Sequence, residues 1–163
     1  MSKAGLTPWI SASAEDLAVI ATGRTENLFA ADIQKCETRL NEFIRGRRIL
    51  VIGGAGSIGS AVIKMLIGYA PRVIDVVDQN ENGLAELVRN IRSQPGGIGG
   101  VEVQFFPLDF GGAIMQRLLV ETPAYDTILN FAAIKHVRSE KDPYSLMQML
   151  ETNVLKPARL LGW

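Results

Sequence analysis

Arg48-Ile-Leu-Val-Ile-Gly-Gly-Ala-Gly-Ser-Ile-Gly59, followed by Val73-Ile-Asp-Val-Val-Asp78, reads as a strand, a glycine-rich turn, a helix start and a second strand ending on a carboxylate. The aliphatic run before the glycines has no polar interruption, as expected for a strand covered on both faces. A turn this rich in glycine lets backbone approach a pyrophosphate closely, and the helix behind it offers free N–H groups and the positive end of its dipole. Gly54, Gly56 and Gly59 satisfy G-x-G-x-x-G, and Gly53, Gly56 and Gly59 satisfy G-x-x-G-x-x-G. Asp78 follows Gly59 by nineteen residues, near the spacing at which an acid accepts hydrogen bonds from an adenosine ribose. Strand, turn, helix and acid in this order point to a dinucleotide site.

The rest of the chain extends that pattern. From Arg48 onward, strands and helices alternate, which implies a parallel sheet with helices on both faces. Strands are expected at Ile49–Ile52, Val73–Val77, Val101–Phe106 and Thr127–Phe131. Helices are expected at Ser57–Tyr69, Gly83–Arg92, Ala113–Val120 and from Tyr144 nearly to Trp163. Gln94-Pro-Gly-Gly-Ile-Gly-Gly100 reads as a surface turn. The fold class is α/β, a doubly wound parallel sheet in the order 3-2-1-4. Residues 1–46 have a different texture and read as an N-terminal helical arm, so the expected boundaries are 1–46 and 47–163. Within the arm, Ala14–Ala21 reads as a short helix capped by Ser11 or Ser13. A second helix runs from about Leu28 to Gly46, with Phe29, Ile33, Cys36, Leu40 and Phe43 on one face. That stripe is expected to pack on its own domain, the alternative being another subunit, and Cys36 is expected to be buried as a small hydrophobe.

Composition excludes several classes. The 163 residues carry 17 basic and 17 acidic side chains, so no single-sign field draws in nucleic acid or an anionic membrane. A single cysteine and a single histidine offer neither a disulfide framework nor a metal constellation, so no metal is expected. The start of the chain lacks a secretory core, and the longest apolar stretch, broken by Lys64, is too short to span a bilayer. The default expectation is a cytoplasmic globular protein without a membrane partner.

The turn after Asp78 is Gln79-Asn-Glu-Asn82, with no basic residue before Arg89. A 2′-phosphate there would meet a carboxylate without a cation, which favours NAD over NADP. Asp109 holds the equivalent place after the third strand. There it would either accept a hydrogen bond from the adenine amino group or cap the next helix. Ala132 and Ala133, at the end of the fourth strand, leave room for a ligand at the carboxyl edge of the sheet. His136 is read as structural, and Arg138 with Lys141 either attracts a sugar diphosphate or forms a solvated loop with Glu140 and Asp142.

With Gly-Gly-Ala-Gly-Ser-Ile-Gly, Asp78 and its following Glu-Asn-Gly-Leu-Ala-Glu-Leu, Asn130-Phe-Ala-Ala-Ile-Lys-His-Val137 and Thr152-Asn153-Val154, the chain resembles the extended short-chain dehydrogenase/reductase family. It is most similar there to the polysaccharide-biosynthesis branch containing UDP-N-acetylglucosamine 4,6-dehydratases and related nucleotide-sugar dehydratases and epimerases. The resemblance implies a Rossmann-type domain and NAD as cofactor. It places Gly53, Gly56, Ser57, Ile58 and Gly59 at the pyrophosphate, Asp78 at the ribose, Asp109 and Phe110 at the adenine, and Ala132, Ala133 and Lys135 on the nicotinamide side. It further implies a nucleotide-sugar substrate and assembly as a homo-oligomer. A non-catalytic dinucleotide-binding structural or redox-sensing module is the alternative.

Two departures from the family pattern matter. Lys156-Pro157 stands where members often carry Gly-Thr. A proline inside a helix clashes with the carbonyl four residues back, so a bend is expected that frees the Asn153 carbonyl for water or the cofactor pocket. The second departure is catalytic. Members use a Tyr and a Lys four residues later for proton transfer, whereas Tyr69, Tyr125 and Tyr144 are followed at that spacing by Val73, Leu129 and Gln148. The chain is therefore expected to be inactive alone, as the N-terminal part of an enzyme.

Overall fold

The computed structural model describes residues 19–25, 28–93, 97–135 and 142–163. Most of the expected Ala14–Ala21 helix, with its caps, lies outside them, as do His136, Arg138, Glu140 and Lys141. The chain divides into two compact units, Met1–Thr38 and Arg39–Trp163. In the first, residues 19–22 are helical and helix α1 (Ala30–Ile44) begins; its last turns belong to the second unit.

The second unit alternates β1 (Arg48–Ile52), α2 (Ser57–Gly68), β2 (Val73–Val77), α3 (Glu81–Arg92), β3 (Glu102–Phe106), α4 (Ala113–Glu121), β4 (Thr127–Asn130), α5 (Pro143–Leu150) and α6 (Lys156–Gly162). A π-helical turn, Glu151–Leu155, joins the last two. All strand pairs are parallel and the sheet order is β3-β2-β1-β4, as expected from the sequence. Each βαβ crossover turns the chain back to start the next strand from the same edge, which places every strand's carboxyl end along one rim.

Alternation along β1 divides the core. Ile49 and Val51 pack on one face with Ile74, Val76, Ile63, Leu66, Leu84, Leu87 and Ile91, while Leu50 and Ile52 pack on the other with Val77, Phe110, Met115 and Leu160. Asp75, also on this second face, is fully buried. Its Oδ2 accepts from the Arg48 guanidinium at 2.5 Å and from the Tyr125 hydroxyl at 2.7 Å. Arg48 also lies over the Tyr125 ring, 4.9 Å from its centre. Burial, and then the bond to Asp75, raise the Tyr125 pKa. This triad was not read from the sequence, although an acid inside an otherwise aliphatic strand was its signal.

The α1 expectations need correction. Ile44 is buried and Leu40 is partly buried against the first core, but Phe29, Ile33 and Phe43 are exposed, as is Cys36. Leu40 and Ile44, four apart, lie on one face of the last turns of α1. Helix α3 begins two residues earlier than expected because Asn80 caps it, its Oδ1 accepting from the Gly83 N–H at 3.0 Å. Asp142 is likewise a cap, accepting from the Ser145 N–H at 2.8 Å ahead of Pro143 in the first turn.

The helix carrying Pro157 continues through to Gly162, and the turn before it, which contains Asn153, is the π turn. There the Lys156 N–H donates five residues back to the Glu151 carbonyl. The wider ladder accommodates a residue that has no N–H to give.

Candidate functional site

The carboxyl ends of β1, β2 and β4 open into a cleft of about 250 Å³, at the point where the sheet's connections diverge from β1. This is where open α/β sheets receive ligands. Gly53 leaves β1 with φ +76°, a left-handed conformation that favours glycine, and its N–H donates to the Val77 carbonyl at 2.8 Å. A Cβ at Gly53 would stand 2.5 Å from the Ala132 nitrogen; one at Gly54 would strike the Val76 side chain, and one at Gly59 the Gly53 carbonyl. Those three glycines are required by the fold itself.

Gly56 differs. A Cβ there would meet only the Gly53 carbonyl oxygen, at an ordinary 3.4 Å, and the residue lines the cleft. It is also the N-cap of α2, φ −70° and ψ 164°, and supplies no side-chain acceptor to the first turn. Ser57 and Ile58 follow it, both exposed. A helix N-terminus without a side-chain cap, approached through an open glycine, has the properties an anion requires.

Asp78 sits at the cleft wall beside this turn. Its Oδ2 accepts from the Ala55 N–H and its Oδ1 from the Asn80 N–H, each at 2.9 Å. The carboxylate therefore ties the glycine turn to the end of β2, and each oxygen retains acceptor capacity for a hydroxyl. On the far wall, Phe131, Ala132, Ala133 and Ile134 continue from β4. Asn130 Oδ1 accepts from the Ala132 N–H at 3.0 Å, and Asn153 exchanges two hydrogen bonds with the Ile134 backbone, both 2.9 Å. Asn153 thus holds the wall in place through its amide side chain and does not itself line the cleft. Lys135 is exposed and lies outside the lining, as do Ser57, Ile58 and Gly59.

At the third-strand end, Leu108 and Phe110 line the cleft while Asp109 between them does not. The Asp109 carboxylate accepts from Lys156 Nζ at both oxygens, 2.7 and 2.8 Å, and from the Gly111 N–H at 2.9 Å. Burial pushes its pKa up, but the Lys156 and Gly111 hydrogen bonds outweigh this and hold it below the ordinary 3.8. Lys156 is itself buried, and its stem crosses Gly111 so closely that a Cβ at Gly111 would lie 2.3 Å from the lysine Cγ. Lys156 was noted in the sequence for its place before Pro157; its reach to Asp109, 47 residues away, has no local signal. Gln148 and Thr152, joined by a 3.1 Å hydrogen bond, also line the cleft, as do Gln79 and Lys156, and the sequence pattern does not mark Gln148 or Thr152 as ligand residues. None of the three tyrosines lines the cleft, and Tyr125 is committed to Asp75. Among the described residues no cluster of His, Cys, Asp or Glu is arranged to hold a metal ion.

A parallel sheet in this order, a glycine turn and helix start at the divergence point, and an acid at the tip of β2 define a Rossmann-type domain of the extended short-chain dehydrogenase/reductase class. Within that class, the family described as GDP-mannose 4,6 dehydratase matches residues 50–163, and the chain belongs to that family. A Methanocaldococcus jannaschii protein named "Uncharacterized membrane protein MJ1061" is 30% identical over 123 residues, covering 75% of this chain and 33% of that protein. The UDP-glucose 4-epimerase of Dictyostelium discoideum is 33% identical over 92 residues, covering 55% of this chain and 25% of the enzyme. The chain spans a third or less of the length of these curated relatives. Solved structures share the fold. The Bordetella bronchiseptica enzyme WbmF, in complex with NAD+ and UDP, superposes with a TM-score of 0.54 at 22% identity, over 72% of this chain and 31% of that one. A Shigella flexneri short-chain dehydrogenase complexed with NADP gives 0.59 at 23% identity, over 74% of this chain and 52% of that one. Among the described residues no helix is long and apolar enough to cross a membrane.

Proposed function

We propose that this chain is the cofactor-holding part of a nucleotide-sugar 4,6-dehydratase or epimerase of polysaccharide biosynthesis, and that its cofactor is NAD. The observation that carries the reading is Gly56. It is the one glycine of the turn whose missing side chain the fold itself does not need, and it opens the α2 N-terminus to the cleft. In this reading the pyrophosphate lies over Gly56, Ser57 and Ile58, with Gly53 and Gly59 shaping the turn beneath it. Asp78 accepts from the adenosine ribose hydroxyls, Leu108 and Phe110 flank the base, and Ala132 and Ala133 leave space for the nicotinamide, with Lys135 at the mouth. Asn153 positions that wall.

The bound dinucleotide supplies hydride acceptance and return, which is what oxidation at one sugar carbon followed by dehydration or epimerisation requires. The chain's own contribution is binding and orientation. Family membership and the named epimerase relative support the nucleotide-sugar assignment. The preference for NAD over NADP rests on Asp78: a 2′-phosphate would face its carboxylate, whose two recorded partners are neutral backbone N–H groups.

Calorimetric titration of the chain with NAD and with NADP, alongside an Asp78→Ala variant, tests the reading. Tighter binding of NAD, weakened in the variant by about tenfold, is the expected result. Tighter binding of NADP, or no binding of either by a folded chain, overturns it.

A further inference from the structure

The Lys156–Asp109 pair changes what the base end of the cleft can recognise. An ionised carboxylate has about four acceptor positions. Lys156 Nζ takes one on each Asp109 oxygen and the Gly111 N–H takes a second on Oδ1, so three of the four are filled. The arrangement is built into the fold. The Lys156 stem is buried against Gly111, and its ammonium stands 5.6 Å from the centre of the Phe110 ring, so the pair is braced by the wall that flanks the base. Asp109 pairs with this lysine, while Leu108 and Phe110 on either side of it line the cleft, as do Gln79 and Lys156.

We propose that Lys156 occupies the Asp109 carboxylate, and that the base slot is consequently indifferent to the exocyclic amino group of adenine. The slot, lined by Leu108 and Phe110 with Gln79 and Lys156 beside them, accepts a 6-oxopurine as readily as a 6-aminopurine. Lys156 is in this sense a specificity-determining residue that acts through Asp109. The inference rests on the dinucleotide reading of the cleft given above.

The test compares NAD with nicotinamide hypoxanthine dinucleotide, which replaces the adenine amino group by an oxo group and leaves the ribose, pyrophosphate and nicotinamide unchanged. Calorimetric titration of the full chain is expected to give dissociation constants within about threefold of each other. A charge-assisted hydrogen bond from the amino group to a free carboxylate would instead favour NAD by about tenfold or more. Lys156→Met keeps the stem over Gly111 and removes the ammonium, so it is expected to release Asp109 and raise the preference for NAD to about tenfold. A tenfold preference already present in the unmodified chain overturns the inference while leaving the dinucleotide site standing. An unchanged ratio in a folded Lys156→Met variant overturns the role of Lys156. Failure of both dinucleotides to bind overturns the functional reading and this inference with it. The comparison on the unmodified chain decides the matter if the variant does not fold.

Discussion

Alanine at Gly53 and alanine at Gly56 add the same methyl group to the same turn, and they are expected to fail in different ways. At Gly53 the methyl would lie 2.5 Å from the Ala132 nitrogen and 2.7 Å from the Phe131 carbonyl carbon, both backbone atoms, at a residue with φ +76°. The left-handed conformation costs a residue with a Cβ about 1–2 kcal/mol, and forcing a methyl into a packed backbone contact costs about 1–3 kcal/mol more. Gly53→Ala should therefore lose about 2–5 kcal/mol of stability, with its β1 and β4 ends pushed apart. At Gly56 the backbone is extended with φ −70°, and the nearest atom to the new methyl is 3.4 Å away. Reduced entropy of the unfolded chain contributes about 0.4–1 kcal/mol, offset by about as much for alanine in place of glycine at an N-cap. Stability should stay within about 1 kcal/mol of the parent, while the methyl obstructs the approach to the α2 N–H groups and weakens NAD binding at least about tenfold. Urea unfolding and calorimetric titration of both variants measure the two quantities independently. The reasoning is refuted by a Gly53→Ala chain as stable as the parent, or by a Gly56→Ala chain that binds NAD unchanged.

The buried triad and the Asp109 pair provide further tests. Asp75→Ala leaves the Arg48 guanidinium buried without its carboxylate and should cost about 3–5 kcal/mol; adding Arg48→Met should recover part of the loss in urea unfolding. Because Asp109 has its folded pKa lowered below 3.8, its contribution to stability is fully present above that value. It is lost as pH falls from there through the lowered pKa. Unfolding followed from about pH 5 to about pH 2 should show this decline, and Lys156→Met should make it shallower.

How much of this was legible in the sequence follows from the range of each interaction. Strand order, parallel pairing and the glycine turn are governed by local pattern and connection rules, and the alternation through Ile49, Leu50, Val51 and Ile52 anticipated a strand covered on both faces. Pro157 led to the expectation of a bend at Asn153 because proline's geometry is fixed wherever it stands; the structure has a π turn over Asn153, and the helix runs onward. The α1 stripe misled: spacing identifies an apolar face and says nothing about how much of it is buried, and here Ile44 is buried and Leu40 partly so while Phe29, Ile33 and Phe43 are exposed. Asp75 with Tyr125 and Asp109 with Lys156 are pairs 50 and 47 residues apart. Their partners are decided by how the crossovers pack and by no periodicity in the chain. The division of labour among the glycines was also beyond the motif, which names the positions without saying which of them the fold needs and which the ligand needs.

A crystal structure of the chain grown with NAD tests the central claim most directly. The account predicts the pyrophosphate over the Gly56 and Ser57 N–H groups at the start of α2, with the adenosine ribose on Asp78. A dinucleotide bound elsewhere, or one whose phosphates lie away from the α2 N-terminus, would contradict it.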